Sequence, residues 1–320
     1  MDLATFAAHT KVRIIIGKGG VGKTVVSGAL ALALARAGIK VSLLELEGRP
    51  ELAEAFGLDD LHGWEPVRAF EDPSGGWVDL QRLTPDDALI EYLGTHGLGR
   101  LSKRLGRTGL LDVVASAIPG IKDVLVLGKV KQLAKRGNAD VLILDAPATG
   151  HAVTLLTSAA GLADVARSGP VRRQADEVIE LLTDPERCQV SIVTLPEDLP
   201  VTEAVEAAYL VEDRAGVALG PVIVNRVDDA SELLGVSAAN AAAEAGLVLE
   251  AGLAVSLDAA AHFQRHRAKE AGDALARLRT ELPLEVLELP RLSAVRFGPP
   301  EIALLATYLS EAIELLEEPK

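Results

Sequence analysis

Residues 17–24 read Gly-Lys-Gly-Gly-Val-Gly-Lys-Thr, which fits the phosphate-binding pattern G-x-x-x-x-G-K-[ST]. The β-branched run Lys11–Ile16 precedes this loop. Thr24–Ala37, with alanine and leucine at helical spacing, follows it and ends at Gly38. These patterns predict a buried strand and a helix, and Lys40–Leu46 predicts the next strand. A strand–helix–strand unit of this kind predicts a parallel sheet with a right-handed crossover.

The residue types in the loop suit the binding of a nucleoside triphosphate. Glycines let successive backbone N–H groups turn toward a phosphate, and the helix N-terminus adds partial positive charge. Lys23 is predicted to pair with the β- and γ-phosphates of ATP, and the Thr24 hydroxyl to hold Mg²⁺ directly. The predicted nucleotide contacts of this segment are Gly17, Gly19, Gly20, Val21, Gly22, Lys23, Thr24 and Val25.

Short apolar runs and helical segments alternate along the rest of the chain. The runs that predict further strands are Asp140–Leu144, Gln189–Thr194, Pro221–Asn225 and Leu284–Leu289. The segments that predict helices are Pro200–Ala215, Ser231–Leu247, Ala259–Arg279 and Glu301–Glu317. This order predicts an α/β fold with a doubly wound, mostly parallel sheet, in a single P-loop ATPase domain over residues 1–320.

A long stretch between the second strand and Asp140 does not alternate in this way. It predicts four short helices, at Thr84–Leu93, Leu98–Leu105, Leu110–Ala117 and Lys122–Arg136. We therefore expect a helical layer or subdomain on one side of the sheet, built from about residues 83–136 and 152–182.

Asp145 follows the apolar run Asp140–Leu144 and opens the sequence Asp-Ala-Pro-Ala-Thr-Gly-His, residues 145–151. Mg²⁺ on a nucleotide needs an outer carboxylate at the end of a strand that faces the phosphate loop. Asp145 is therefore predicted to lie in the outer coordination shell of Mg²⁺ and to take part in catalysis.

Two motifs give the chain a resemblance to a known family. The loop begins with a second lysine, Lys18, in the form K-G-G-x-G-K-T, and residues 145–151 are similar to the switch II sequence D-T-A-P-T-G-H. With these motifs the chain resembles the ArsA-like ATPases, the deviant Walker A family of the arsenite pump and the tail-anchored-protein-targeting ATPase. The resemblance implies a homodimer, or a heterodimer with a paralogue, in which Lys18 reaches the partner's nucleotide. It also implies an unidentified protein client.

Three further stretches support this resemblance. Pro119–Asp123 is similar to the P-G-x-x-E segment that precedes switch II in the family. Val222–Asn225 is similar to the strand whose terminal asparagine contacts adenine, and Leu289–Arg296 resembles the loop that closes over the base. The resemblance thus implies that Asn225 and Pro290 contact the adenine of ATP.

Switch I departs from the family pattern. The family has an aspartate after the second strand, in a segment that leads to a D-A-F-G-like sequence; here Glu54–Gly57 gives that anchor and places Glu47 at the aspartate position. A glutamate is one methylene longer, and a displacement of about 1 Å can cost about a hundredfold in rate. We therefore expect Glu47 to orient the attacking water, with slow turnover as a hypothesis.

Composition and charge exclude several classes of partner. The chain has 32 basic and 46 acidic residues, a formal charge of −14, and 3% aromatic residues, which disfavours nucleic acid as a partner. Its longest apolar stretches fall short of the ~20 residues of a spanning helix, and residues 1–10 show no secretory signal, so no stable membrane insertion is expected. Cys188 is the single cysteine and cannot form an internal disulfide, which favours a reducing, cytoplasmic location.

The single cysteine also separates the chain from its relatives. Trivalent arsenic requires several thiolates, structural zinc requires four ligands, and a bridging iron–sulfur cluster requires two cysteines from each subunit. None of these cargoes is expected. Met1 is the only methionine, which argues against a methionine-lined groove for varied apolar clients.

Several functions remain open from the sequence. The first is a dimeric ATP-driven switch that couples hydrolysis of ATP to an unidentified protein client. The alternative is a weakly hydrolysing ATP-binding assembly factor or heterodimer subunit, which Glu47 motivates. A partition or positioning protein on DNA or membrane is disfavoured by the charge, and a metabolic kinase is disfavoured by Lys18.

Overall fold

The computed structural model of the protein describes residues 1–46, 50–61, 65–93, 120–228, 235–294 and 297–317. Nine strands in these ranges form one sheet in the order β3-β4-β2-β5-β1-β6-β8-β9, with β7 paired to β6. The strands are β1 Val12–Gly17, β2 Lys40–Glu45, β3 Val67–Glu71, β4 Trp77–Arg82, β5 Val141–Asp145, β6 Cys188–Thr194, β7 Ala218–Leu219, β8 Val222–Val227 and β9 Val286–Pro290.

Every strand pair in this sheet is parallel except β3 with β4. Strand β1 lies between β5 and β6, and all six of its residues are buried. The prediction of a doubly wound, mostly parallel α/β fold is confirmed. Because parallel strands run in one direction, the carboxyl ends of β1, β2, β5, β6 and β8 meet at the same edge of the sheet.

Helices cover both faces of the sheet. They are α1 Leu3–Ala8, α2 Lys23–Arg36, α3 Glu51–Ala55, α4 Pro85–Leu93, α5 Ile121–Arg136, α6 Thr149–Val165, α7 Pro170–Leu182, α8 Asp198–Leu210, α9 Ala238–Glu244, α10 Ala251–Glu281 and α11 Pro299–Glu314. Helices α1, α2, α3 and α11 contribute to the core on one face, and α4 to α8 with α10 to the core on the other. Side chains of β1 alternate between the two cores: Ile15 joins the first, and Ile14 and Ile16 join the second.

Helix α2 is buried on nearly all sides. Its residues from Val26 to Ala35 are buried between the sheet and α11. A helix that is apolar all round must be enclosed in this way, and its small alanines let the neighbouring backbones approach closely. This burial fixes the position of α2, whose first turn directly follows the phosphate loop.

Strand β6 begins with the single cysteine of the chain. Cys188 is fully buried against β1, and burial raises the pKa of its thiol to about 12. The thiol is therefore enclosed and protonated at neutral pH.

The hairpin of β3 and β4 was not predicted from the sequence. Val67–Glu71 lies at the sheet edge and is only half buried, so its polar residues hide the strand pattern. Asp72 closes the turn by accepting hydrogen bonds from Ser74 N to its side chain and from Gly75 N to its carbonyl, both at 2.9 Å. The turn sequence Pro73-Ser74-Gly75-Gly76, between two runs that alternate apolar and polar residues, is the signal that could have found it.

Several predicted helices have different ends in the structure. The helix expected at Ser231–Leu247 is α9, which covers only Ala238–Glu244; residues 229–234 lie outside the described ranges. The helix expected at Ala259–Arg279 is longer, because α10 begins directly after Glu250. The helix expected at Pro200–Ala215 ends in a π-helical turn before the left-handed Gly216.

The helices predicted at Leu98–Leu105 and Leu110–Ala117 lie outside the described residues, whereas α4 and α5 lie where helices were predicted. The short helix α1 was not predicted; Asp2 caps it by accepting a hydrogen bond from Thr5 N at 2.6 Å. Of the helices described, none combines the length and apolar composition that crossing a bilayer would require.

Gly76→Ala is expected to lower the free energy of unfolding by about 1–3 kcal/mol or more. A Cβ at this position would lie 2.0 Å from Ala35 O and 2.8 Å from Ile39 N, and these backbone atoms cannot move aside. Gly161→Ala, on the exposed side of α6 with open space around it, should instead raise it by about 0.5–1 kcal/mol. Urea unfolding followed by circular dichroism measures both, and equal stabilities of the two variants would contradict this packing.

Candidate functional site

The loop between β1 and α2 stands at the edge of the sheet where the carboxyl ends of the strands meet. Gly22 precedes the first residue of α2 and has φ +92°, a left-handed conformation that favours glycine. A Cβ there would also lie 2.5 Å from the Nδ2 atom of Asn225. The loop therefore has the backbone that the phosphate-binding pattern predicts, and β8 approaches it closely.

Asn225 supports the loop from the neighbouring strand. Its buried side-chain Nδ2 donates a hydrogen bond to Val21 O at 2.9 Å, and its Oδ1 accepts one from Arg226 N at 2.9 Å. Arg226 has φ +60°, so the chain turns sharply after the asparagine. The resemblance implied an adenine contact for Asn225, and the structure shows a direct hydrogen bond from its side chain to the phosphate loop.

A cavity of about 340 Å³ lies beside this loop. Its lining includes Gly22, Val25 and Asn225 and, from later in the chain, Pro290 and Phe297. This volume and the mixture of apolar and polar lining residues are typical of a small-molecule site. The structure thus brings Asn225 and Pro290, which are far apart in sequence, to one cavity next to the phosphate loop.

Asp145, the last residue of β5, faces the first turn of α2. Its Oδ2 accepts a hydrogen bond from Thr24 Oγ1 at 2.7 Å, and its Oδ1 accepts one from Ser27 Oγ at 3.1 Å. Burial raises the pKa of Asp145 to about 6, although the two hydroxyls and the charge of Lys23 act in the opposite direction. Ser27 was not singled out by the sequence; its place one turn after Lys23 and Thr24 is the signal that could have found it.

The two lysines of the loop occupy different environments. The Lys23 ammonium donates to Lys18 O at 3.4 Å, so it lies over the loop. The Lys18 ammonium instead forms an ion pair with Glu203 of α8 at 2.6 Å, and its side chain is 58% exposed. The Lys18 ammonium is therefore directed to α8 rather than over the phosphate loop, and its side chain stays largely accessible to solvent.

A second carboxylate lies beside Asp145 and was missed by the sequence analysis. Glu45 ends β2, is paired in register with Asp145, and has a side chain that is only 4% exposed. Its charge contributes to the raised pKa of Asp145. The signal was available, since Glu45 also ends an apolar strand at this edge. Glu47, which the sequence favoured instead, lies outside the described residues.

These residues fit ATP and Mg²⁺. The loop offers backbone N–H groups at a helix N-terminus, Lys23 lies over it, and the cavity of about 340 Å³ adjoins it. The Thr24 hydroxyl donates to the Asp145 carboxylate, so two oxygen groups of the kind that a hard cation prefers lie together beside the phosphate loop. The arrangement can bind a nucleoside triphosphate and neutralise its charge.

Sequence comparisons identify relatives of the chain. Residues 10–167 match the family model of the ArsA-type, anion-transporting ATPases. The ATPase BagA of Mycobacterium tuberculosis is 35% identical over 225 residues, which are 68% of this chain and 65% of BagA. The ATPase GET3 of Ajellomyces dermatitidis is 32% identical over 147 residues, which are 44% of this chain and 40% of GET3. The chain thus spans at most 65% of the length of these two relatives.

Asp145→Asn is expected to raise the free energy of unfolding of the nucleotide-free protein at pH 8 by up to about 3 kcal/mol. The raised pKa means that the folded state keeps the Asp145 proton longer than the unfolded state does. Asp145 therefore lowers stability progressively as pH rises from about 4 to about 6, and its full penalty applies above that window.

Urea unfolding near pH 3.5 and pH 8, without nucleotide or Mg²⁺, measures this effect. The variant and the wild type should converge at the lower pH, where the carboxyl is protonated in both states. Asp164→Asn changes an exposed carboxylate on α6 and serves as the control. A variant less stable than the wild type at pH 8 would contradict the cost assigned to Asp145.

Proposed function

From the premise that the chain belongs to the ArsA-like ATPases, we propose that it binds and hydrolyses ATP as a two-subunit switch. The observation that carries the proposal is the phosphate loop with Thr24 and Asp145 joined at 2.7 Å beneath Lys23. In this role the loop amides and Lys23 bind the triphosphate, the Thr24 hydroxyl binds Mg²⁺ directly, and Asp145 lies in the outer coordination shell of the ion. When Mg²⁺ is bound, it neutralises part of the negative charge of the phosphates.

Glu47 is the residue proposed to orient the attacking water. The support is its position in the sequence, two residues after Glu45, which ends β2 at the nucleotide edge. An oxygen nucleophile must be held in line with the bond that breaks, and a carboxylate that accepts its hydrogen bond can do this.

The surroundings of Lys18 support two subunits. Its ion pair with Glu203 lies at the surface, and an exposed pair of this kind contributes only about 0–1 kcal/mol. Lys18 can therefore leave Glu203 at low cost. A phosphate of a nucleotide held by a partner subunit would offer this lysine a stronger, charge-assisted contact. In this proposal the partner is an identical chain or a paralogue.

The switch would act on a protein client through the helical layer. Helix α6 begins at Thr149, four residues after Asp145, and packs against α5 and α7. A change at Asp145 on binding or hydrolysis would therefore move the start of α6, and with it the helices packed on it. We propose that the segments at about residues 83–136 and 152–182 form the client-facing subdomain.

The alternative is an assembly factor or heterodimer subunit that binds ATP and hydrolyses it weakly. The extra methylene of Glu47, relative to the aspartate of the family pattern, is the observation that favours it. Rapid turnover by a purified homodimer would exclude this alternative.

Glu47→Gln is expected to lower the ATP turnover rate by about a hundredfold or more, because the amide cannot accept a proton from water. ATP affinity should stay within about threefold, since the phosphates are held by the loop. Steady-state hydrolysis and binding of a fluorescent ATP analogue measure the two effects. Glu51→Gln makes the same change on the exposed side of α3 and should leave both unchanged. Normal turnover in Glu47→Gln would remove this residue from the mechanism.

Lys18→Ala is expected to retain ATP binding within a few-fold and to lose most of the turnover, because the partner's phosphates would lose this charge. Sedimentation with ADP and with a non-hydrolysable ATP analogue should show ATP-dependent pairing of the wild type. Lys40→Ala, an exposed lysine at the opposite end of β2, is the control. Full activity of Lys18→Ala, or a monomer that hydrolyses ATP at the wild-type rate, would refute the shared site.

A further inference from the structure

Asp228 directly follows β8 and is held between two arginines. Its Oδ1 accepts a hydrogen bond from Arg291 Nε at 2.7 Å, and its Oδ2 accepts one from Arg291 Nη2 at 3.2 Å. Arg267 Nη2 lies 3.0 Å from the same Oδ2. The Asp228 side chain is 10% exposed, whereas each of the two arginine side chains is 31% exposed. A two-point contact between a carboxylate and a guanidinium fixes the orientation of both groups, which a single surface ion pair does not.

Arg267 belongs to a part of α10 that is anchored to the domain. Farther along the same helix, Arg277 donates from Nη2 to Asp198 O at 2.6 Å, at the start of α8. Leu275 and Leu278 of this helix are buried in the core on the face of the sheet that α8 covers. Because both polar and apolar contacts hold this part of α10, it is a fixed support for the carboxylate that follows β8.

Arg291 belongs to the segment that follows β9 and lines the cavity beside the phosphate loop. Residues 290–294 all line this cavity, together with Gly22 and Val25. The side chain of Arg291 reaches Asp228, whereas its neighbour Leu292 packs against the core on the α2 face. Between described residues, no hydrogen bond involves residues 292–294. Arg291 is therefore the hydrogen-bonded point from which this part of the cavity lining extends.

The strands themselves do not need the Asp228 contacts in order to stay in the sheet. Strands β8 and β9 pair in parallel, and Arg291 N donates to Val227 O at 2.9 Å. Leu287 and Leu289 of β9 are buried in the core on the α2 face. Backbone pairing and apolar burial therefore hold the two strands, and the side-chain bonds of Asp228 fix the segment that continues beyond them.

We propose that Asp228 is a positioning residue for the nucleoside part of the bound nucleotide. By holding Arg291, it keeps residues 290–294 in place as part of the lining of the cavity that adjoins Gly22 and Val25. The proposal rests on the proposed binding of ATP, because phosphates on the loop bring the base and ribose to the adjoining cavity. A segment that is already ordered binds its ligand more tightly, since no ordering cost arises on binding. Loss of the Asp228 contacts therefore weakens binding of the nucleoside and spares binding of the phosphates.

The test compares ADP with inorganic tripolyphosphate, which has phosphates and no nucleoside. Isothermal titration calorimetry of the full chain with Mg²⁺ gives the Kd of each ligand. Asp228→Asn should raise the Kd of ADP by about tenfold or more and change that of tripolyphosphate by less than about threefold. Removal of a negative charge would by itself strengthen the binding of both anions, so charge alone cannot produce this result. In ATP hydrolysis, KM should rise while kcat stays within about threefold.

Three further variants separate positioning from charge and fold. Asp228→Glu keeps the carboxylate and should retain more affinity for ADP than Asp228→Asn does. Arg267→Gln leaves the two-point contact with Arg291 in place and should cause a smaller loss. Asp213→Asn makes the same change of charge on an exposed residue of the π-helical turn after α8, and it should match the wild type with both ligands.

Wild-type affinity for ADP in Asp228→Asn would overturn the positioning role. Equal losses of affinity for ADP and tripolyphosphate would also overturn it, since Asp228 would then only support the fold. If the wild type binds tripolyphosphate as tightly as ADP, the cavity takes no part in binding, and this proposal fails while the phosphate loop keeps its proposed role. If the wild type binds neither ligand, the proposed function itself fails and this proposal falls with it.

Discussion

The hydrogen bond from Thr24 to Asp145 joins the two halves of the site, because it links the first turn of α2 to the end of β5. The loop that precedes Thr24 is fixed by the burial of α2, and α6 begins four residues after Asp145. A short hydroxyl–carboxylate contact thus sets the distance between a helix that can bind phosphate and a strand that leads into the helical layer.

Two buried carboxylates end neighbouring strands at this edge, and their placement costs stability. Glu45 and Asp145 are paired in register, and burial with this proximity raises the pKa of Asp145. Arg82 and Lys23 supply positive charge on either side. An edge built for folding alone would carry apolar residues here. The cost at Asp145 is explained if its carboxylate is held for a cation.

The sequence predicted the parts of the site that depend on local pattern. The strand, glycine loop and helix were found from spacing alone, and Asp145 from its place after an apolar run. The hairpin β3–β4 was missed because an edge strand has polar residues on its open side. The contact of Arg82 with Glu45 spans 37 residues and depends on the parallel pairing of β2 with β4, which follows from sheet order. The hydrogen bond of Asn225 to the phosphate loop depends on sheet order in the same way.

The burial of Cys188 at the start of β6, with a thiol pKa of about 12, has a practical consequence. A maleimide or iodoacetamide can reach its sulfur only when β6 leaves the sheet. The reaction rate of this thiol therefore measures global unfolding of the protein and does not respond to local motion at the nucleotide edge. The chain has no other cysteine, so a thiol-reactive fluorophore would label only a cysteine introduced at the surface of the folded protein. Any reaction of Cys188 would then show that part of the sample has unfolded.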